Sequence, residues 1–302
     1  MIQIITDSVA SIPADVLAER DIEVASLFVR HQGVEHREAT MDVDRFYAEI
    51  GGMVDDPPTS SQPSQHELEM LFERAASAGK QVLGLFISQK FSGTFDGAIR
   101  AARTVKSRAL DFKCTLVDTT SNCAEEGFAV LDACDQRDLG ASLSDCAHAA
   151  INGMRSTRFL FVPESLAFLK AGGRIGGASA LLGGLLQITP ILTVANGEAD
   201  TFAKVRTMKR ALDKMAATLK DDIAACGGLK RIVVHYIGDK APALAWARDA
   251  IEPLVGRAVR VLPVSPVIGT HVGPAVGVAY ECMGHIDGKL PEGTDDLVFS
   301  ID

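Results

Sequence analysis

Short apolar segments with the length of buried strands alternate with helix-forming segments along the first half of this chain, and this alternation restricts its fold more than any other feature. The apolar segments lie at 2–6, 81–88 and 112–118, and helix-forming segments at 64–78 and 123–136 lie between or after them. The first of these two helices begins with a capping box at Ser64. Strands that alternate with helices in this way form a parallel sheet covered by helices. We therefore predict an α/β fold whose N-terminal unit has three layers around a mostly parallel sheet.

The second half of the chain predicts a further α/β unit with a mixed sheet. A helix at 144–154 leads into it. The segments that follow are strands near 158–162, 188–194, 231–236 and 259–262, helices near 163–170, 208–224 and 241–253, and a Gly-rich segment at 268–274 that precedes a last strand through Tyr280. No flexible linker separates the two halves. We therefore predict two closely packed domains, 1–155 and 156–302, with a ligand in the cleft between them.

Charge and residue spacing exclude several classes of function. A net charge of -9 argues against nucleic acid as a partner, because phosphate backbones favour basic surfaces. The longest apolar stretch, 181–195, is interrupted by glycines and a proline and is too short to span a bilayer. We see no secretory signal at the start of the chain. The six cysteines lack a Cys-x-x-Cys spacing and the seven histidines lack a metal-binding spacing, so we expect reduced thiols, a cytoplasmic location and no metal site.

Hydroxyl-rich segments that lead into helices predict a site for an anion. Helix starts carry unpaired N–H groups, which suit a carboxylate or a phosphate. Gly172-Gly173-Arg174 adds a guanidinium at a turn, and a histidine lies in the later Gly-rich segment. The candidate head-group residues are Ser60, Ser61, Ser92, Gly93, Thr94, Arg174 and His271, with Asp7, Ser8 and Asp118 as supporting residues. Each also has a purely structural interpretation, as a helix cap, a turn or a charge at a helix end.

An unusually apolar stretch follows Arg174. An anion-binding residue beside such a stretch suggests a ligand with a charged head and a hydrophobic body. Two other classes of function stay open at this point. One is a serine hydrolase in which Ser92 acts with His271 and Asp7, although no Gly-x-Ser-x-Gly elbow is present. The other is a protein that binds a small phosphorylated or sugar-like ligand.

Taken together, these motifs resemble those of the DegV family over nearly the full chain. They are Ile5-Thr6-Asp7-Ser8, Thr59-Ser60-Ser61-Gln62-Pro63-Ser64, Ile87-Ser88 through Ser92-Gly93-Thr94, Leu169 through Pro190, Lys204-Val205-Arg206-Thr207, and Gly269-Thr270-His271 through Tyr280-Glu281. The resemblance implies a non-catalytic, two-domain protein that holds one long-chain fatty acid and uses no cofactor. It also implies the role of acyl-binding subunit in a bacterial fatty acid kinase. In that role the protein presents the carboxylate to a separate ATP-dependent kinase subunit, which forms acyl phosphate for phospholipid synthesis.

The resemblance also assigns roles to individual residues. Ser60 and Ser92 match the hydroxyls that hold the carboxylate, and Arg174, Arg206 and His271 match basic positions near the head group or the docking face. The sequence departs from the family pattern at Cys123, Glu125 and Gly127, at Gly273-Pro274-Ala275, and at Val162-Pro163-Glu164. The first of these departures places an acid near the expected site.

A fatty acid needs an enclosed tail and a way in. For the acyl pocket we predict Leu166, Leu169, Leu181, Leu182, Leu185, Leu186 and Ile188, although leucines in these positions are equally good core residues. A helix from 166 to 186 is the expected lid. A local basic face for docking to a membrane or to the kinase is predicted from Lys170, Arg174, Lys204, Arg206, Lys209 and Arg210.

Overall fold

Three β-sheets organise the chain in a computed structural model that describes residues 1–182, 188–290 and 294–302. The strands are β1 (Ile2–Asp7), β2 (Ile22–Ala25), β3 (Phe28–His31), β4 (Val34–Arg37), β5 (Thr59–Ser61), β6 (Gln81–Phe86), β7 (Cys114–Asp118), β8 (Thr157–Pro163), β9 (Thr189–Ala195), β10 (Glu198–Val205), β11 (Leu229–Ile237), β12 (Arg260–Pro263), β13 (Ala275–Cys282) and β14 (Val298–Ile301). The α-helices are α1 (Ala14–Glu19), α2 (Val43–Glu49), α3 (Gln65–Ser77), α4 (Thr94–Arg108), α5 (Cys123–Asp138), α6 (Leu143–Met154), α7 (Ala167–Ala171), α8 (Met208–Ala225), α9 (Ala241–Trp246), α10 (Glu252–Val255) and α11 (Pro266–Val272).

The first sheet has the strand order β14-β7-β6-β1-β2 and is parallel except for β14. Side chains alternate across it, so that Ile5 and Phe86 face α3 and α4 while Ile4 and Leu85 face α5 and α6. Both faces are therefore covered by helices, as expected of a parallel sheet. The predicted three-layer unit is confirmed.

The second sheet has the order β10-β9-β8-β13-β11-β12. Its neighbouring strands are antiparallel except β11 and β12, which are parallel. The predicted mixed sheet is confirmed, although the sequence analysis did not predict β10. The chain reaches this sheet close to the expected boundary, since α6 ends at Met154 and β8 begins at Thr157. Residues 298–301 depart from the predicted division, because β14 pairs with β7 of the first sheet.

A small third sheet, β4-β3-β5, connects the two units. It belongs to the segment between β2 and α3, together with α2. The Tyr47 hydroxyl on α2 donates a 2.5 Å hydrogen bond to the carbonyl oxygen of Val264, which immediately precedes the loop into α11. Strand β5 falls in a segment that the sequence analysis treated as a loop, and it carries Ser60 and Ser61.

Two segments differ from the sequence-based expectation of helix. The expected helix over 166–186 is wrong within the described residues, because α7 ends at Ala171 and a short 3-10 segment, Gly176–Leu181, follows it. The break lies at Gly173, whose φ of 68° is left-handed and ends the helix. Conversely, no helix was predicted for the Gly-rich segment at 268–274, yet most of it lies in α11, with Pro266 in the first turn of that helix. Across 1–182, 188–290 and 294–302, no helix combines the length and the apolar character needed to cross a bilayer.

Candidate ligand-binding site

A cavity of about 320 Å³ lies between the first unit and the second sheet. We call it the site cavity. Hydroxyl and basic side chains line one end, and they come from β5, from the loop between β6 and α4, from the turn after α7 and from α11. Apolar side chains from β8, β11, β13 and α11 line much of the remainder. A cavity of this kind has the size and the mixed lining of a small-molecule site.

Ser60 and His271 meet at the polar end of the cavity, which we call the head end. Ser60 Oγ lies 2.7 Å from His271 Nε2. The contact joins β5 of the first unit to α11 of the second, so it forms only when the two units pack together. His271 Nδ1 is buried and has no hydrogen-bond partner among the described residues. Burial, and to a smaller extent the charge of Arg174, lowers the pKa of His271 to about 4, so the ring is neutral at pH 7.

Ser92 lies at the head end where α4 begins. Its Oγ accepts a 3.3 Å hydrogen bond from the Thr94 N–H and lies 2.8 Å from Thr94 Oγ1. Thr94 itself is buried and does not line the cavity. Gly93 packs closely against the end of the Gln62 side chain, since a Cβ at position 93 would lie 2.3 Å from Gln62 Oε1. The sequence thus brings the β5 loop and the start of α4 together at the head end.

Arg174 is exposed at the mouth of the head end, where the turn after α7 holds it. Its Nη1 donates to the Gly172 carbonyl oxygen at 2.6 Å and its Nε donates to the Phe91 carbonyl oxygen at 3.3 Å. Gly172 packs tightly against His271, since a Cβ at position 172 would lie 2.3 Å from His271 Nδ1. Arg174 therefore places a positive charge beside the Ser60–His271 pair.

The supporting residues predicted from the sequence hold the backbone of the cavity rather than line it. Asp7 accepts hydrogen bonds from the N–H groups of Val9 (3.0 Å) and Ile87 (2.9 Å), and the Ile87 side chain lines the cavity. Burial raises the pKa of Asp7 to about 7. Asp118 accepts from the N–H groups of Thr120 (2.8 Å) and Gln89 (3.3 Å), which fixes the loop that leads to Ser92.

These contacts separate the three residues of the postulated serine triad. His271 bonds to Ser60, Ser92 bonds to Thr94, and Asp7 bonds to two backbone N–H groups. The described hydrogen bonds contain no link between Ser92 and His271 or between His271 and Asp7. The geometry therefore does not assemble that triad.

Glu38 is a buried residue of the site that the sequence analysis missed. Its carboxylate accepts hydrogen bonds from the hydroxyls of Ser8 and Ser265 and from the Val267 N–H, the last at 2.9 Å. Ser8 Oγ in turn accepts from the Leu27 N–H at 2.9 Å, and both Leu27 and Val267 line the cavity. Burial raises the pKa of Glu38. Glu38 lies in a polar segment of sequence for which no element was predicted, so nothing in its neighbourhood indicated a buried acid.

The apolar lining also differs from the predicted set. Leu169 lines the site cavity, but Leu166, Leu181 and Ile188 line a separate pocket with Pro163 and Pro190. The side chain of Leu182 is 43% exposed, and Leu185 and Leu186 lie outside the described residues. The lining that the sequence analysis missed comes largely from strands of the second sheet and includes Phe159, Phe161, Ile237 and Val276. These residues are alternate positions of buried strands, and the sequence does not show which alternate face meets a cavity.

The remaining predicted positions lie away from the cavity. Lys204 and Arg206 are exposed where β10 leads into α8, and neither lines the site cavity. Lys170, Lys209 and Arg210 are exposed as well. Glu125, the acid expected near the site, is neutralised by a 2.6 Å ion pair with Lys289. Over the described ranges, no group of three or more His, Cys, Asp or Glu side chains is arranged to hold a metal ion.

His235 lies in the cavity wall and, unlike most histidines of the chain, is fully buried. Its Nε2 accepts a 3.3 Å hydrogen bond from the Ala124 N–H, its Nδ1 lies 3.2 Å from the Leu262 carbonyl oxygen, and its ring packs edge-on to Phe159. This arrangement suits the neutral ring with its proton on Nδ1. Burial lowers the pKa of His235 to about 4.

We expect His235 to make the protein less stable in acid. The unfolded state takes up a proton below about pH 6.5 and the folded state does not until about pH 4, so stability falls as the pH falls through this range. Between pH 6.5 and about pH 5 the expected loss from this group is about 2 kcal/mol. Asp7, whose pKa is raised, makes the folded state more stable as the pH falls and so opposes the effect of His235. The effect of His235 is therefore measured as the difference in unfolding free energy between wild type and a variant that lacks it.

Denaturant unfolding of wild type and His235→Gln at several pH values checks this expectation. The gap between the two curves should narrow by about 2 kcal/mol as the pH falls over that range. His148→Gln, at an exposed position on α6, is the matched control and should follow the wild type. A gap between wild type and His235→Gln that stays constant with pH would contradict the assignment of a neutral, buried His235.

The family model, the relatives and the solved structures that resemble this chain all belong to the same family. Residues 1–282 match the model of the DegV family, which is described as an uncharacterised protein family. A DegV domain-containing protein of Clostridium acetobutylicum is 38% identical over 287 residues, which are 92% of this chain and 97% of that protein. A DegV family protein from Thermus thermophilus, described as binding fatty acid, is 30% identical with a TM-score of 0.81 over 93% of this chain and 99% of its own. Bacillus subtilis DegV, described as a fatty acid binding protein, is 28% identical with a TM-score of 0.81 over 93% and 98%.

Proposed function

The chain belongs to the DegV family, and from that premise we propose that it binds one long-chain fatty acid in the site cavity. The carboxylate lies at the head end and the hydrocarbon tail lies against β8, β11 and β13. The observation that carries the proposal is one cavity with hydroxyl and basic groups at one end and mostly apolar walls along the rest. The fatty acid binding described for the Thermus and Bacillus proteins supports it.

The lining of the cavity provides what a fatty acid needs, which is apolar surroundings for the tail and polar partners for the carboxylate. Each methylene removed from water contributes about 0.8 kcal/mol, so a long tail strongly favours an apolar enclosure. The carboxylate, in contrast, needs partners, because an unpaired buried charge is very unfavourable. Ser60, Ser92 and Arg174 supply hydroxyl donors and a positive charge at the head end alone. The cavity therefore orients the ligand as well as enclosing it.

The Ser60–His271 contact explains how a hydroxyl is kept ready for the carboxylate. A buried N–H without an acceptor is rarer in proteins than a buried acceptor without a donor, so the unpartnered Nδ1 of His271 is best assigned as the unprotonated nitrogen. The proton then lies on Nε2, which donates to Ser60 Oγ. Because Ser60 Oγ accepts this bond, its own O–H is available to donate to the ligand.

The proposal extends to delivery of the fatty acid. In this role the protein carries out no chemistry itself, and a separate kinase subunit binds ATP. One carboxylate oxygen attacks the γ-phosphorus of ATP, ADP leaves, and acyl phosphate forms. Exposed Arg174 beside the head end supports an approach of the kinase from that side. The exposed basic residues near β10 and α8 supply a face for the kinase or for transient contact with an anionic membrane.

Native mass spectrometry of the purified protein, followed by extraction of its ligand, tests the proposal directly. We expect one fatty acid per chain. Protein that is empty and takes up no added fatty acid would overturn the proposal. Hydrolysis of an acyl ester that depends on Ser92 would instead support the hydrolase interpretation, and a bound phosphorylated molecule without a tail would support the third class of function.

Ser92→Ala is expected to weaken fatty acid binding by at least about tenfold, because a hydrogen bond to a charged group contributes about 1.5–3 kcal/mol. Displacement of a fluorescent fatty acid measures the affinity. Ser107→Ala is the matched control, since Ser107 lies near the far end of α4, the helix that Ser92 precedes, and its hydroxyl bonds only to the Thr104 carbonyl oxygen in the described structure. Equal affinities in Ser92→Ala and wild type would remove Ser92 from the carboxylate site.

A further inference from the structure

Asn122 is a buried amide in the wall of the site cavity that has no partner in the protein. It lies directly before α5 and is 6% exposed. Its Oδ1 is buried without a hydrogen bond, and no described hydrogen bond involves its side-chain nitrogen. A buried amide without partners is unfavourable, so a role outside the protein's own hydrogen bonding is required to explain it.

The ordinary role of such an asparagine is to cap the helix that follows, and here that role is taken by another residue. Asn122 occupies the N-cap position of α5 but its side chain makes no capping hydrogen bond. The Ala124 N–H, which an N-cap side chain commonly satisfies, donates instead to His235 Nε2 at 3.3 Å. Cys123 between them has a left-handed φ of 55°, which is costly for a residue other than glycine. The backbone conformation at the start of α5 therefore leaves the Asn122 amide without a hydrogen bond to the helix.

The part of the cavity wall that holds Asn122 adjoins His235. The contacts at the head end run from Phe91, the neighbour of Ser92, through Arg174 and Gly172 to His271 and Ser60. Asn122 takes part in none of these contacts. Its neighbour Ala124 bonds to His235, which packs against Phe159 in the apolar part of the lining. On the proposed function, Asn122 therefore faces the tail of the ligand and not its carboxylate.

We propose that Asn122 is a hydrogen-bonding subsite for a hydroxyl group on the acyl chain. This inference rests on the proposed function and adds the class of ligand, a long-chain hydroxy fatty acid. The Oδ1 atom is fully buried, so the side-chain NH₂ is the group that can donate to a hydroxyl oxygen of the ligand. A plain hydrocarbon tail leaves this NH₂ desolvated and unpaired. The amide thus favours a hydroxylated chain and disfavours an unsubstituted one of the same length.

A series of hydroxystearic acids, with the hydroxyl on successive carbons, tests the subsite against stearic acid in the displacement titration. We expect one position of the hydroxyl to bind wild type about tenfold more tightly than stearic acid. In Asn122→Leu, which has a similar size and no polar atoms, stearic acid should bind more tightly than in wild type. The same hydroxystearic acid should then bind about tenfold more weakly than stearic acid.

Asn152→Leu is the matched control, because Asn152 is exposed on α6, and it should keep the wild-type preference. Thermal unfolding of both variants reports whether they fold. If Asn122→Leu does not fold, the affinities of wild type for the hydroxystearic acids and for stearic acid are sufficient to test the inference. If no hydroxystearic acid binds wild type better than stearic acid does, the amide contacts only a buried water and the inference is overturned. A preference that survives in Asn122→Leu overturns it as well. Failure of wild type to bind any of these acids is a separate result that removes the proposed function together with this inference.

Discussion

Val276→Phe is expected to reduce the affinity for a long-chain fatty acid by about 100-fold, the largest effect that we expect on binding. Val276 lies on β13 and lines the site cavity. Phenylalanine has about four more carbon atoms than valine and takes the space of roughly three or four methylenes. At about 0.8 kcal/mol for each displaced methylene, the loss is about 3 kcal/mol. Displacement titration with fatty acids of several lengths measures it, and the preferred chain should become about three or four carbons shorter.

Val278→Phe provides the control for the first expectation. Val278 lies two positions further along β13, on the same face of the strand, but it is packed in the core and does not line the cavity. Here phenylalanine has no space to fill, and overpacking should cost about 1–3 kcal/mol of stability. Val276→Phe should leave stability nearly unchanged, because it enters a space that already exists. An unchanged chain-length preference in Val276→Phe would show that the tail does not lie along β13.

Glu38→Ala is expected to lower the free energy of unfolding by about 3–4 kcal/mol, the largest effect that we expect on stability. The change leaves the hydroxyls of Ser8 and Ser265 and the Val267 N–H buried without their acceptor. Each unsatisfied buried group costs about 1–3 kcal/mol, and release of the buried carboxylate offsets part of the sum. The contact also joins the first unit to α11, so fatty acid affinity should fall together with stability. Denaturant unfolding and displacement titration measure the two effects.

Two further variants separate the possible causes of this loss. Glu38→Gln keeps an oxygen that can accept from the Val267 N–H, and it should therefore cost less than half as much as Glu38→Ala. Glu35→Ala removes an exposed acid from β4 and should change stability by less than about 0.5 kcal/mol. If Glu38→Ala is as stable as wild type, the expectation is contradicted. The unfavourable free energy of burying the carboxylate would then equal the favourable free energy of its three hydrogen bonds.

Much of the fold could be predicted from the sequence, because local signals and tertiary structure agree in the first sheet. β1, β6 and β7 are largely apolar segments, and Ser64 caps α3 with a 3.1 Å bond from the Glu67 N–H. The prediction failed where packing overrides local propensity. Helix α11 contains Gly269 and several residues that are poor helix formers, and it forms where Gly269 allows close contact with Tyr47. Its helical state is thus fixed by the other unit.

The candidate site was predictable mainly at its head end. Hydroxyls before helices and an arginine at a turn are local patterns, so Ser60, Ser92 and Arg174 could be found from the sequence. The tail region depends on which side of β8, β11 and β13 faces the first unit, and that choice is made by strand pairing across the second sheet. Glu38 and Asn122 could not be found at all, because their significance lies in the partners that surround them or are missing.

The return of β14 to the first sheet has a consequence for how the protein folds as it is synthesised. Strands β1, β2, β6 and β7 leave the ribosome early, but β7 keeps an unpaired edge until residues 298–301 have been made. The whole second sheet is synthesised in the interval. An open edge of a buried, apolar strand is a template for pairing with another chain, so a nascent molecule carries this hazard for as long as its second half is being translated. Completion of the first sheet therefore waits until the strands of the second sheet have been synthesised.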